Sequence, residues 1–183
     1  GPSDIGLIIG IMPLSSALVQ VPTGILLDRW GVRRTLSAMA VLAAIGTIWL
    51  ALAEGVLSLT AARALIGAGF AAAMTSIYIV AITNVSQQRM ALVAGTTIAV
   101  AGSAGAALGT TPLVVAFQVL GWSTTFILIG ALTLAAALLV RNFVKDGPDE
   151  TGTPETLADS LRVLKDLVQH RELQRCLVMA FCF

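Results

Sequence analysis

The stretch Gly24-Ile-Leu-Leu-Asp28-Arg29-Trp30-Gly31-Val32-Arg33-Arg34 is the only dense group of charged residues in the first 140 positions, and long apolar runs flank it. Gly24 and Asp28 are four apart, on one face of a helix that ends here, and Gly31 predicts a break. A helix dipole disfavours an acid at a helix end and arginines at a helix start by about 0.3–1 kcal/mol each. We therefore expect Asp28 to have a partner outside its own helix, whereas the arginines fit a short cytoplasmic loop.

The composition indicates a membrane protein. The chain has 183 residues, of which 57% are hydrophobic and 11% charged, against about 25% charged in a soluble domain. Mean hydropathy is +0.91 and the net charge is +1, which excludes a broad basic surface for nucleic acid. Cys176 and Cys182 fit no disulfide or metal spacing and are interpreted as small apolar residues, so no metal site and no cofactor are predicted.

Five apolar runs are long enough to span a bilayer, which takes about 20 residues each. Because backbone groups in lipid must be satisfied internally, these runs are predicted to be helices, and the fold class is an all-α polytopic membrane protein. The predicted spans within residues 1–141 are 5–27, 36–53, 57–83, 91–117 and 122–140.

Basic residues predict the orientation of these spans. In a five-helix zigzag, ten of the eleven Lys and Arg residues fall on one side, and the other side carries Asp4 and Glu54. Short loops rich in Lys and Arg stay in the cytoplasm. The side that holds residues 28–34, 84–90 and 141–175 is therefore predicted to be cytoplasmic.

A change of composition follows the last span. Residues 142–175 are predicted to form a cytoplasmic linker, in which leucines at helical spacing over 155–174 indicate an amphipathic helix. Residues 176–183 are interpreted as the start of a further span. Because the chain also begins on Gly1 rather than Met, we expect it to be part of a longer protein, truncated at both ends.

The pattern Gly24-x-x-x-Asp28-Arg29-x-Gly31-x-Arg33-Arg34 between two spans resembles the loop that joins the second and third helices of major facilitator superfamily transporters. Arg63-x-x-x-Gly67-x-x-x-Ala71 is similar to the motif on the fourth helix of that family. Gly121-Trp122-x-x-x-Phe126 resembles the start of its sixth helix. The resemblance implies the N-terminal half of a twelve-helix bundle, with helices two to six, the central loop and the start of helix seven present.

Arg63 is the only basic residue inside a predicted span. Ionisable residues within a membrane are functional candidates by default. Arg63 lies near the outer end of its span, however, so its side chain could also extend to the membrane interface. Both a lining or gating role and this simpler role stay open, and the small residues from Gly67 to Ala72 predict close helix packing.

The resemblance also indicates which helices line a central cavity. Polar residues on those helices are candidates for cavity lining or gating, together with Arg63 and Gly67, although Ser and Thr can equally bond back to their own helix. These candidates are Ser16, Gln20, Thr75, Tyr78 and Thr96.

Small residues at Ala101, Gly105 and Gly109 predict tight helix crossing in the fourth run, with Pro112 close behind. The sequence Gly109-Thr-Thr-Pro112 departs from the adjacent Gly-Pro that the family's proton-coupled drug exporters carry here.

The resemblance implies a secondary active transporter of a small solute, with or without a coupling ion, that works by alternating access between two helical halves. Its partners would be the lipid bilayer and the missing C-terminal half, and its location the cell (inner) membrane. Gly24, Asp28, Arg29, Gly31, Arg33 and Arg34 would form a conformational latch against that half. The alternative is a non-transporting receptor or scaffold on the same fold. An enzyme is not predicted, since no span carries paired carboxylates, a His cluster or a nucleophile beside a base.

Overall fold

The computed structural model describes residues 2–144, which form five α-helices and, within that range, no strand. The helices are α1 (Pro2–Leu52), α2 (Gly55–Asn84), α3 (Gln87–Leu108), α4 (Thr111–Leu120) and α5 (Trp122–Phe143). The predicted linker with its amphipathic helix and the predicted further span at 176–183 lie outside the described residues.

Helix α1 is two helices joined at Gly31, whose φ of 76° and ψ of 166° are not helical. Residues other than glycine rarely adopt a positive φ, because their Cβ clashes with the backbone, so this position requires glycine. The two parts, residues 2–30 (the first arm) and 32–52 (the second arm), meet at this residue. Their junction is fastened by buried Thr35, whose hydroxyl donates a 2.9 Å hydrogen bond to the carbonyl oxygen of Leu26.

The expected loop between the first two spans is therefore a single residue. Spans predicted at 5–27 and 36–53 lie in helices that extend from either side up to Gly31, so Asp28 and Arg33 are both helical. The predicted spans ended where polar residues begin in the sequence. The helices are longer than these spans because a helix can continue beyond its apolar part.

The fourth predicted span, 91–117, differs more from the structure than the first two spans do. It is divided at Gly109 and Thr110 into α3 and the ten-residue α4. Pro112 sits in the first turn of α4 and has no N–H to continue the bonding pattern of α3. At the break, the Gly109 N–H donates to the Gly105 carbonyl and the Thr110 hydroxyl donates to the Ala107 carbonyl.

Close packing of α1 on α2 depends on glycine. A Cβ on Gly67 would overlap the Met12 carbonyl and the Ser15 hydroxyl of the first arm. A Cβ on Gly69 would lie 2.5–2.7 Å from atoms of Ala43 in the second arm. The close packing predicted for the small residues from Gly67 onward is thus confirmed, and α2 is held by both arms.

The second arm also packs against α5. A Cβ on Gly130 would come within 2.6 Å of the Ile48 side chain, and the Ser123 hydroxyl donates a 2.9 Å hydrogen bond to the Ala51 carbonyl. Helix α4 is joined to α5 through stacked rings of Phe117 and Trp122, with centroids 5.4 Å apart. Gly121 makes the intervening turn with a φ of 78°.

The interior is built mainly from alanine, with Leu50, Ala62 and Ile66 at its centre. Small side chains allow helix backbones to approach in lipid, where no hydrophobic effect drives helices together. Within the described range, four helices are long and apolar enough to cross a membrane: the segments Asp4–Leu52, Gly55–Ile82, Gln88–Leu108 and Trp122–Phe143.

Candidate functional site

The two ends of the bundle differ in charge. At one end, the Arg33 Nε donates a hydrogen bond to the Arg141 carbonyl oxygen, which joins the start of the second arm to the end of α5. The ends of α1's first arm, α2 and α5 meet here, with the arginines Arg29, Arg33, Arg34, Arg89 and Arg141. The opposite end, where Ser123 bonds to Ala51, carries Glu54. This separation matches the arrangement that the positive-inside rule predicted for the described residues.

The six residues of the predicted latch surround the break at Gly31. Asp28, Arg29, Arg33 and Arg34 are exposed. Gly24 is half-buried, yet a Cβ placed on it would meet nothing within 4 Å. Among residues 2–144, therefore, no close helix contact requires glycine at position 24, in contrast to Gly67.

Arg63 is the ninth residue of α2, about 12 Å along the helix from its first residue. It is half-buried and follows the fully buried Ala62. The carbonyl oxygen of the next residue, Ala64, accepts a 2.8 Å hydrogen bond from Ser15. The backbone on either side of Arg63 is thus fixed against neighbouring helices. At this position along α2, the Arg63 side chain can either line a central cavity or extend to the membrane interface.

The polar candidates differ in environment. Ser16 and Thr75 are half-buried, whereas Gln20, Tyr78 and Thr96 are exposed. The Thr96 hydroxyl donates to the Leu92 carbonyl of its own helix at 2.7 Å, the simpler role allowed for such residues. No common site made by these residues is visible within the described range, and cavity lining stays a prediction for all of them.

A cavity of about 400 Å³ lies instead at the arginine-bearing end, between the second arm, α2 and α3. Its lining is almost entirely apolar and contains two hydroxyl-bearing residues, Ser76 and Thr97. Ser76 is 2% exposed and its hydroxyl has no hydrogen-bond partner among the described residues. The full lining is Val32, Leu36, Ala73, Ser76, Ile77, Val80, Ala81, Val85, Val93, Thr97 and Val144.

Helix α3 presents its small residues outward. Residues 99–110 are all exposed, and a Cβ on Gly102 or Gly105 would meet nothing within 4 Å. A Cβ on Gly109 would approach only carbonyl oxygens of α3 itself. The predicted tight crossing at Gly105 and Gly109 therefore has no partner helix within residues 2–144, and it stays a prediction.

The sequence did not single out four hydroxyl residues that the structure makes important. Ser15 joins α1 to α2, Thr35 joins the two arms of α1, and Thr23 and Ser76 are buried without a described hydrogen-bond partner. Each is a Ser or Thr within or beside an apolar run, and its residue type does not distinguish it from other such residues. They differ from other Ser and Thr residues only in the side of the helix on which they lie, which the folded structure determines.

The fold and its charge distribution define an integral, multi-pass membrane protein built from α-helices. The family model of the Major Facilitator Superfamily matches residues 1–183, and the chain belongs to this family of membrane transporters. No curated protein matches the chain.

Proposed function

We propose that the chain is the N-terminal half of a secondary active transporter, which carries a small solute by alternating access between two helical halves. Membership of a transporter family supports this proposal. In such folds the binding site lies near the middle of the membrane between repeated halves, which rock about it.

The observation that carries the proposal is the exposed face of α3. Lipid-facing positions favour large apolar residues, whereas glycine and alanine favour contact between helices. The segment Ala101-Gly-Ser-Ala-Gly105-Ala-Ala-Leu-Gly109 consists almost wholly of small residues and packs on nothing in residues 2–144. A helix of a second half, approaching as the two halves rock together, is the occupant that we propose for this face.

The Gly24 and Asp28 face supports the same arrangement. Gly24 has room for a side chain, so its glycine is not required by the described bundle. Asp28 lies one turn further, exposed, in the last turn of the first arm. In our proposal a helix N-terminus of the second half pairs with Asp28 and holds the cytoplasmic side closed.

Solute binding in this proposal uses Arg63 and the polar residues of the first arm, α2 and α3. Ser16, Gln20, Thr75, Tyr78 and Thr96 are the candidates, and Gly67 sets how closely the first arm approaches α2 near Arg63. Any carboxylate that binds a coupling ion belongs to other helices, since the described spans have none between Asp4 and Asp28 or between Glu54 and Phe143.

Transport can be tested before the solute is identified. The full-length protein would be reconstituted into proteoliposomes and incubated with a mixture of small metabolites, and accumulated solutes would be identified by mass spectrometry with and without a pH gradient. We expect at least one solute to accumulate above the level in protein-free liposomes. Accumulation equal to that control for every solute, under both conditions, would favour the receptor or scaffold alternative.

Orientation has its own test. Single cysteines at Glu54 and at Arg89, in a background without Cys176 and Cys182, would be labelled in intact cells with a membrane-impermeant thiol reagent. We expect label at position 54 and none at position 89 until the membrane is permeabilised. The reverse pattern would overturn the proposed topology.

A further inference from the structure

The apolar cavity at the arginine-bearing end carries an inference that does not depend on which solute is transported. The cavity is bounded by the second arm, α2 and α3, and is open on one side, with Val80 41% and Val93 38% exposed at its rim. Because the helices around it span a membrane, a ligand of this cavity can enter from the lipid. Its volume of about 400 Å³ is within the ~300–1,000 Å³ range of small-ligand sites.

Each chain segment at the outer end of the cavity carries an arginine close in sequence to a lining residue. Arg33 and Arg34 lie between the lining residues Val32 and Leu36 in the sequence. Arg89 lies midway between Val85 and Val93, and Arg141 lies one turn before Val144. The Arg33–Arg141 hydrogen bond brings two of these segments together. Five arginines and one acid, Asp28, give this end of the described bundle an excess of positive charge.

An apolar volume that opens to lipid, with arginines on the chain segments at its outer end, is complementary to an amphiphile with an anionic head. Arginine binds phosphate with paired hydrogen bonds, and basic pockets between helices on the cytoplasmic side bind anionic headgroups. The cavity lining offers a long hydrocarbon chain only apolar surface apart from the hydroxyls of Ser76 and Thr97.

We propose that this cavity is a binding site for an anionic phospholipid of the cytoplasmic leaflet, with one acyl chain between α2, α3 and the second arm and its phosphate at Arg89 and Arg141. A bound chain fills the space between α3 and the second arm, which do not pack directly against each other. The lipid therefore holds α3, the helix with the least buried surface among the candidate spans, against the rest of the bundle.

Photolabelling tests the position of the lipid. The full-length protein would be placed in nanodiscs of phosphatidylcholine with phosphatidylglycerol that carries a diazirine on one acyl chain. We expect crosslinks on peptides that contain Val80 and Val93, at least about five times more than with a phosphatidylcholine that carries the same diazirine, because each arginine near the surface favours an anionic lipid by about fivefold.

Two kinds of variant separate the apolar and charged contributions. Val93→Trp and Ala73→Phe fill the cavity and should remove most of the cavity crosslinks. Arg89→Gln with Arg141→Gln removes positive charge at the outer end of the cavity and should reduce the crosslinks by about fivefold or more. Leu132→Trp, on exposed α5 surface, and Arg63→Gln, near the other end, are the matched controls and should leave them unchanged. Val93 is partly exposed, so its variant should fold even where Ala73→Phe does not.

Equal labelling by the anionic and zwitterionic probes would show that the cavity does not prefer an anionic lipid, and would overturn the proposal. Absence of crosslinks at Val80 and Val93 with either probe would show that protein, not lipid, covers the cavity. Both results leave the transport proposal intact, because that proposal is tested by solute accumulation.

Discussion

The Ser15 hydroxyl donates a 2.8 Å hydrogen bond to the carbonyl oxygen of Ala64, 49 residues later in the chain. The contact crosses from the first arm of α1 to α2, one turn before Gly67, where the two backbones are too close for any side chain. It also fixes the backbone next to Arg63. One hydroxyl and one glycine thus fix the first arm against α2 next to the candidate arginine.

Ser15→Ala should lower the free energy of unfolding by about 0.6 kcal/mol, the average for hydrogen bonds between membrane helices, and by no more than about 1.7 kcal/mol, the largest such value. The measurement is unfolding in mixed detergent micelles with increasing sodium dodecyl sulfate. Ser16→Ala is the matched control, since Ser16 is the same residue type one position away. Equal effects of the two substitutions would show that the Ser15–Ala64 hydrogen bond makes no specific contribution to the free energy of unfolding.

Gly67→Ala should destabilise the protein, because the added methyl group meets the Met12 carbonyl and the Ser15 hydroxyl. Overpacking costs about 1–3 kcal/mol, and the gain in helix propensity offsets about 0.5–1 kcal/mol of it. Gly10→Ala, where a Cβ would meet nothing within 4 Å, should leave stability unchanged or raise it. Thermal unfolding in detergent compares the two, and a stable Gly67→Ala variant would contradict the close approach of the first arm to α2.

Arg63→Ala should impair transport more than membrane insertion. A mid-helix arginine disfavours insertion by about 2.5–3.5 kcal/mol, and less near the interface, so its removal should not reduce the amount of protein in the membrane. Uptake of the solute found by the metabolite screen would be measured against expression, with Leu57→Ala, on exposed surface of the same helix, as control. Normal uptake at normal expression would show that Arg63 only extends to the interface.

Asp28→Asn should shift the resting protein toward the state open to the cytoplasm and slow turnover. A charge–dipole contact is worth about 0.3–2 kcal/mol, and about 1.4 kcal/mol changes the ratio of two conformers tenfold. Distances between spin labels on the cytoplasmic ends of the two halves would report the shift.

Gly24→Leu should act in the same direction by steric means, without destabilising the described bundle, since the site is open there. Arg33→Gln with Arg34→Gln should mainly affect the orientation of the protein in the membrane. Unchanged distances and uptake for Asp28→Asn would leave the motif as a loop that only orients the chain.

The sequence by itself determined the class of protein and the course of the chain. Apolar runs of about 20 residues can satisfy their backbone only as membrane helices, and the glycine at position 31 marked the turn that its φ of 76° requires. The motif around it indicated the family that the match over residues 1–183 confirms. These features depend on local chemistry, which a single sequence displays.

The tertiary structure alone decided which residues face one another. Hydrophobicity is nearly uniform around α1 and α2, so it does not indicate which side of either helix packs on protein. Ser15 and Ser16 are therefore distinguished only by the position of α2 in the folded structure. For the same reason Thr35, Thr23 and Ser76 were missed. The break within the fourth predicted span was not predicted because a proline is tolerated within many membrane helices, and only the folded backbone shows that α3 ends before Pro112.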